Sequence, residues 1–217
     1  MTSNLRFQPW CGRYYGTSQS IFSRPTFILG GSTYSPGAET TIEEDSAVTS
    51  DLLDYYFDGK GGQWKATYTR FINAVYGADT DIKKREAYFD SIIFNNYLQE
   101  YAGARPSDAT KFNYGAERHF RAFLEVVDLH KPEVIISWGD LVWNALPNDW
   151  GFGPARKEQP LDINGKLFHC CMTYPYAGKE ILLVGVSHPS SGFSREYNHE
   201  IFRRLGLLRF SENDKVS

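Results

Sequence analysis

Four short apolar runs set the strongest limit on how this chain folds. They are TFILG at 26–30, the first half of SIIFNNYLQEY from Ser91, the centre of PEVIISWGD at 132–140, and ILLVGVS at 181–187. A strand buried on both faces is continuously apolar, whereas a half-buried strand alternates, so runs of this kind belong to a parallel sheet covered by helices.

The intervening segments carry helical spacing. Ile42, Val48, Leu52, Leu53 and Tyr56 predict a helix near 42–57. Trp64, Tyr68, Phe71, Ile72 and Val75 form a second stripe that stops at Gly77. Asn113 is a candidate cap for a helix through about Leu129, with Phe120, Phe123, Leu124 and Val127 on one side and Pro132 beyond its end. LVWNAL predicts a short helix, 161–174 a β excursion, and Arg195 to Leu205 the last helix. The expected fold is α/β: a three-layer αβα arrangement around a central four-stranded, mainly parallel sheet. The 217 residues suit one domain, with an irregular but ordered N-terminal arm over about 1–25.

Composition narrows the function classes. A net charge of −3 excludes a general polycation, so any nucleic-acid binding has to use a local basic face and be salt-sensitive. Arg195, Arg203 and Arg204, with Lys83, Lys84 and Arg85, are candidates for that face, although such runs are as often plain solvated surface. The aromatic fraction of 16% supplies either a Tyr- and Phe-rich core or flat faces for stacking bases and sugars. The three cysteines include an adjacent pair at 170 and 171, where a disulfide is geometrically poor, and they fit a reducing cytoplasm. His169, Cys170 and Cys171 alternate along a strand and cannot all face one ion, so no metal site is expected. MTSNLRFQPW carries no secretory pattern, and no apolar run approaches a membrane span.

In open parallel sheets ligands bind beyond the carboxyl ends of the strands, which directs attention to the four strand exits. HPSSGFSRE places His188, Ser190, Ser191, Ser194 and Arg195 at a helix entrance. The serine hydroxyls and backbone N–H groups there suit a phosphate, and the imidazole suits a developing anion. Phe193, at a loop tip, is a candidate wedge between bases. The alternative is a structural histidine with capping serines. Asn95 and Asn96 follow the second run, and an Asn amide offers the donor and acceptor that a pyrimidine edge requires, although an Asn that merely turns the chain is commoner. GGSTYSPG after the first run makes a tight turn at Gly30 and Gly31, lets a ligand approach the backbone, and presents Tyr34.

These segments, in this order, resemble the uracil-DNA glycosylase superfamily. GGSTY (30–34) stands where that family has its water-activating motif. IIFNNYL (92–98) is similar to the run ending in its base-reading Asn, and HPSSGFS (188–194) to its His-Pro-Ser loop. VIISWGDLVWNAL (134–146) resembles its third strand and Trp-Gly exit. The resemblance implies His188 as the group stabilising the leaving base, Asn95 as base reader, Ser190 as a phosphate contact, Phe193 near the intercalating position and Tyr34 in the base pocket. It further implies a monomeric enzyme acting on DNA, without cofactor or iron–sulfur cluster.

One departure bears on mechanism. The family places Asp, Asn, Glu or Gln in its first motif to position water, and here Gly31 and Ser32 stand there. Ser32 can hold a water but is a weak base, while Glu39, Glu43, Glu44 and Asp45 lie just downstream as helix-start acids. Gly31 also predicts a pocket roomier than one for uracil. Because family members serve in defence against phage, the expected target is a modified base, such as a substituted cytosine of phage DNA. Two rivals stay open: a non-catalytic sensor of a modified base or nucleotide on the same fold, and a hydrolase of small nucleosides or nucleotides.

Overall fold

The computed structural model describes residues 3–34, 37, 41–58, 62 and 64–209. It is mixed α/β. Among the described residues, nine strands and six helices follow one another as β1 (Trp10–Cys11), β2 (Thr26–Gly30), α1 (Ile42–Phe57), α2 (Lys65–Tyr76), α3 (Ile82–Asp90), β3 (Ile92–Asn96), α4 (Glu117–His130), β4 (Val134–Trp138), α5 (Asp140–Ala145), β5 (Arg156–Lys157), β6 (Leu161–Ile163), β7 (Lys166–Phe168), β8 (Cys171–Tyr176), β9 (Lys179–Val186) and α6 (Arg195–Arg204). A short 3-10 helix, Pro106–Lys111, precedes α4.

The four apolar runs are β2, β3, β4 and β9, and they pair in parallel in the order β3-β2-β4-β9. The sheet is nonetheless seven strands wide, not four. β1 joins β3, and β8 then β5 extend it past β9, all three antiparallel. These additions leave no apolar run in the sequence: β1 and β5 are two residues long, and β8 is interrupted by Thr173 and by the half-buried Pro175. β6 and β7 form a separate hairpin.

Alternation along the strands divides the core into two clusters. Ile28, Phe94, Ile136, Trp138 and Val184 pack with side chains of α1, α2, α3 and α6. Phe27, Leu29, Ile93, Ile135 and Leu183 pack with those of α4 and α5. α1 starts with a capping box in which Thr41 and Glu44 exchange hydrogen bonds, and α2 ends at Gly77 in the left-handed region. α3, absent from the hydrophobic pattern because IKKREAYFD has so few apolar residues, is capped by Asp81. α4 begins at Glu117, later than the Asn113 cap predicts, because the Asn113 side chain instead accepts from the Gly115 amide in the preceding turn.

The N-terminal arm is ordered by specific bonds. Gly12 N–H donates to Ile92 O at 2.9 Å and Trp10 Nε1–H to Phe89 O at 2.8 Å. Phe7 is fully buried, and the amides of Arg6 and Phe7 both donate to Gln99 Oε1. Among the described residues no helix is long and apolar enough to cross a membrane.

Candidate active site

The carboxyl ends of β2, β3, β4 and β9 open into a cleft of two adjoining lobes, each about 500 Å³. Gly31, Ser32, Tyr34, Trp138 and His188 line both. The first lobe is walled by aromatics of α1 and α2, including Tyr55, Trp64 and Tyr68, with Asn96, Asp51 and Lys65 as its polar groups. The second is more polar and is bounded by Tyr114, Asp140, Ser187, Ser190 and Ser191.

His188 sits two residues past the end of β9. His188 O accepts from Ser191 N–H at 2.9 Å, closing a tight turn through Pro189. Its Nδ1 lies 2.7 Å from Ser190 Oγ and accepts from Ser190 N–H at 3.2 Å. A backbone N–H can only donate, so the neutral ring carries its proton on Nε2. Burial lowers the pKa of His188 and favours that neutral form. The ring meets Trp138 edge to face, with centroids 6.2 Å apart. Arg70 of α2 reaches the same turn, its guanidinium donating to Ser190 O at 3.4 Å and Pro189 O at 3.5 Å. A cation thus stands beside the two exposed serines.

At the β3 exit the neighbouring asparagines separate. Asn95 is 2% exposed. Its Nδ2–H donates to Phe7 O at 3.2 Å and its Oδ1 accepts from Asn96 N–H at 2.9 Å, so its amide clamps the N-terminal arm and lies outside the cleft lining. Asn96, on the opposite strand face, lines the aromatic lobe and donates from Nδ2 to Thr33 Oγ1 at 3.0 Å. The amide that shares the cleft with His188 is therefore that of Asn96.

The β2 exit is held by continued pairing with the chain after β3: Tyr97 N–H donates to Gly30 O and Leu98 N–H to Gly31 O. Gly30 lets Asn96 lie against the strand end, because a Cβ there would stand 2.2 Å from Asn96 Oδ1 and displace that amide. At Gly31 a Cβ would meet Tyr114 Oη at 3.5 Å and Val142 Cγ2 at 3.8 Å, ordinary contacts that a methyl group can make without displacing its neighbours. Ser32 lines both lobes and hydrogen-bonds the Tyr114 hydroxyl. Tyr34, 38% exposed, stands at the mouth.

Other candidates lie elsewhere. Phe193 is half-buried and packs on the core, 6.0 Å from Phe71 between ring centroids, so it is not a projecting wedge. Leu141, 44% exposed in the polar lobe, and Tyr34 present the apolar surface at the rim instead. Arg195 lies outside the lining and pairs with Asp79 and Glu196, while Arg203 and Arg204 both pair with Glu200. Glu44 is used in the α1 cap, and Asp45 is buried against Arg6 and Tyr101. Glu39 and the Glu43 side chain lie outside the described residues.

Several lining groups were not singled out as site residues from the sequence. Trp64 and Tyr68 sit on the core-like stripe of α2, whose cleft-facing edge has no separate signature. Tyr114 comes from a segment distant in sequence, as does Arg70, which lies outside the lining and reaches the serine turn. Asp140 belongs to the Trp138-Gly139-Asp140 exit that the strand-end rule already marked. Trp138 Nε1–H is buried and finds no partner among the described residues, a donor left over in a residue that lines both lobes.

A scan against models of known protein families gives no match, and a search of curated proteins gives no significant relative.

Proposed function

We propose that this chain is a monofunctional DNA glycosylase that hydrolyses the N-glycosidic bond of a flipped-out, modified base and leaves an abasic site. The observation that carries the reading is the convergence of the His188 imidazole and the Asn96 amide on one cleft beside an Arg70-flanked serine turn. Breaking the bond leaves a cationic sugar and an anionic base. A neutral imidazole presenting Nε2–H stabilises the anion without reprotonating the site, and the amide reads a base edge. The aromatic lobe replaces the stacking that the duplex supplied, and Ser190, Ser191 and Arg70 seat a neighbouring phosphate.

The strand order, the apolar clusters on alternate sides of the strands and the order of the strand-exit motifs support a three-layer, uracil-DNA glycosylase-like architecture. The lack of a side chain at Gly31, which lines both lobes, favours a base larger than uracil, such as a substituted cytosine of phage DNA, and so a role in antiviral defence. The proposed enzyme works as a cytoplasmic monomer; the three free thiols accord with a reducing compartment.

The test is to incubate the chain with uracil-containing duplex and with substituted-cytosine phage DNA, then score alkali-labile sites. Cleavage of the phage DNA, lost in His188→Ala, is expected; cleavage of uracil alone overturns the modified-base assignment. A second reading, a non-catalytic sensor of a modified base, is favoured by Ser32 being engaged with Tyr114 where a water-positioning group is expected. It predicts a gel shift with no alkali-labile sites.

A further inference from the structure

Hydrolysis of an N-glycosidic bond is assisted by a carboxylate that holds the attacking water and takes its proton. Among the described residues of the β2 exit no such group is present: Gly31 has no side chain, and Ser32 is bonded to Tyr114. Glu44 and Asp45 are committed to the α1 cap and to Arg6 and Tyr101. Among the described residues, the carboxylates that line the cleft are Asp51 and Asp140.

We propose that Asp140 is the water-positioning carboxylate, acting from the exit of β4 across from His188. This rests on the glycosylase reading. The geometry behind it is a register argument. Trp138 and Val186 are paired across the parallel β4–β9 ladder, and Asp140 and His188 each lie two residues beyond that pair. Gly139 N–H donates to Val186 O at 2.8 Å, which ties the two exits together. At Gly139 the backbone turns through φ +82°, and its Cα packs so closely that an added Cβ would stand 3.2 Å from His188 Cβ. Asp140 therefore enters the polar lobe in fixed relation to the imidazole, together with Ser187, Ser190 and Ser191.

Asp140 is exposed, and among the described residues its carboxylate has no hydrogen-bond or ion-pair partner, so both oxygens are available to a water. It also borders a smaller cavity of about 270 Å³ that Cys170 and Ser194 line as well. Asp51 stands on α1 in the aromatic lobe, where the base is held in this reading, and not in the lobe of the serine turn.

In the step itself, the C1′–N bond breaks with its electron pair passing to the base, whose charge is stabilised by His188 Nε2–H. The water oxygen bonds to C1′, and the water proton passes to the Asp140 carboxylate. The protonated Asp140 then releases its proton to solvent and the base anion takes one from solvent, so that the carboxylate is restored and one water is consumed for each base released.

The experiment uses the full chain and substituted-cytosine phage DNA under single-turnover conditions, with abasic sites scored by alkali and binding measured in parallel by gel shift. Asp140→Asn is expected to slow cleavage about 10²-fold or more while binding stays within about threefold, since general-base assistance contributes on the order of 10²–10⁴. Asp140→Glu is expected to recover part of the rate, and added formate is expected to speed Asp140→Ala but not the wild type. A simple structural role would show neither rescue. Cleavage by Asp140→Asn within about threefold of wild type, or a larger loss in Asp51→Asn than in Asp140→Asn, overturns the assignment. If the wild-type chain itself binds the DNA and makes no abasic sites, the glycosylase reading fails and the Asp140 role falls with it.

Discussion

The exits of β3 and β9 present comparable sets of polar side chains, yet they are built on different principles. At β9 the functional candidates lie in a turn after the strand has ended, and their geometry is local: His188 Nδ1, Ser190 N–H and Ser191 N–H bond within four residues. At β3 the two asparagines are still in the ladder, opposite Leu29 and Gly30, and strand alternation sends them to opposite sides. Asn95 secures the arm at Phe7, and Asn96 faces the cleft over Gly30. A motif in a turn keeps its chemistry together, whereas a motif inside a strand is divided by the pleat.

The largest effect that tests this contrast is at the β9 exit. His188→Ala is expected to lower the rate of abasic-site formation by about 10²–10³-fold, the usual cost of losing one preorganised donor, with circular dichroism unchanged. A loss below about fivefold would remove the imidazole from the mechanism.

At the β2 exit, adjacent glycines are expected to differ. Gly30→Ala drives a methyl into Asn96 Oδ1 and is expected to cost about 1–3 kcal/mol by urea unfolding and to displace the Asn96 amide. Gly31→Ala makes only ordinary contacts and is expected to fold with near wild-type stability. Equal stability of the two variants would contradict the placement of Asn96.

The asparagines themselves sharpen the comparison. Asn95→Ala leaves Phe7 O buried without its donor and is expected to cost about 1–3 kcal/mol of stability while the folded fraction keeps its turnover. Asn96→Ala is expected to do the reverse, with a small stability change and a large loss in rate. Reversed phenotypes would restore Asn95 as the base reader.

Phe193→Ala is expected to cost about 1–2 kcal/mol, since a half-buried ring loses only part of its transfer free energy, and to leave the gel-shift affinity for DNA within about twofold. A tenfold loss of affinity would return Phe193 to the DNA interface.

The smallest effect is that of pH. Burial lowers the pKa of His119, His130 and His188 below the ordinary 6.5. The unfolded chain thus binds protons that the folded chain resists. Stability is full above pH 6.5, falls as pH drops below it, and levels once the folded values are passed. Thermal melts between pH 7.5 and about 5 should show this decline. His119→Gln, which alters the site where Gln99 N–H and Glu100 meet the ring, should flatten part of it.

Sequence alone located the parallel core and most of the helices. The runs at β2, β3, β4 and β9 are apolar because both faces are covered, and that burial requirement is written residue by residue. It also placed the cleft at the strand exits and identified the His188 turn, whose bonds span only a few positions. The flanking strands β1, β5 and β8 were not legible as parts of the sheet, because β1 and β5 are two residues long and β8 carries no continuous apolar run, so their pairing comes from neighbours and not from their own pattern.

What only the tertiary structure decided is which side chains meet. Strand phase chose Asn96 over Asn95 for the cleft. Packing against Phe71 drew Phe193 onto the core, and ion pairs engaged Arg195, Arg203 and Arg204. The β4–β9 register brought Asp140 into the lobe that His188 lines, although 48 positions of chain order separate them. Burial and local turns depend on residue type and near neighbours, so a sequence records them. The meeting of side chains across a ladder depends on register and pleat, which are fixed only when the whole sheet is assembled.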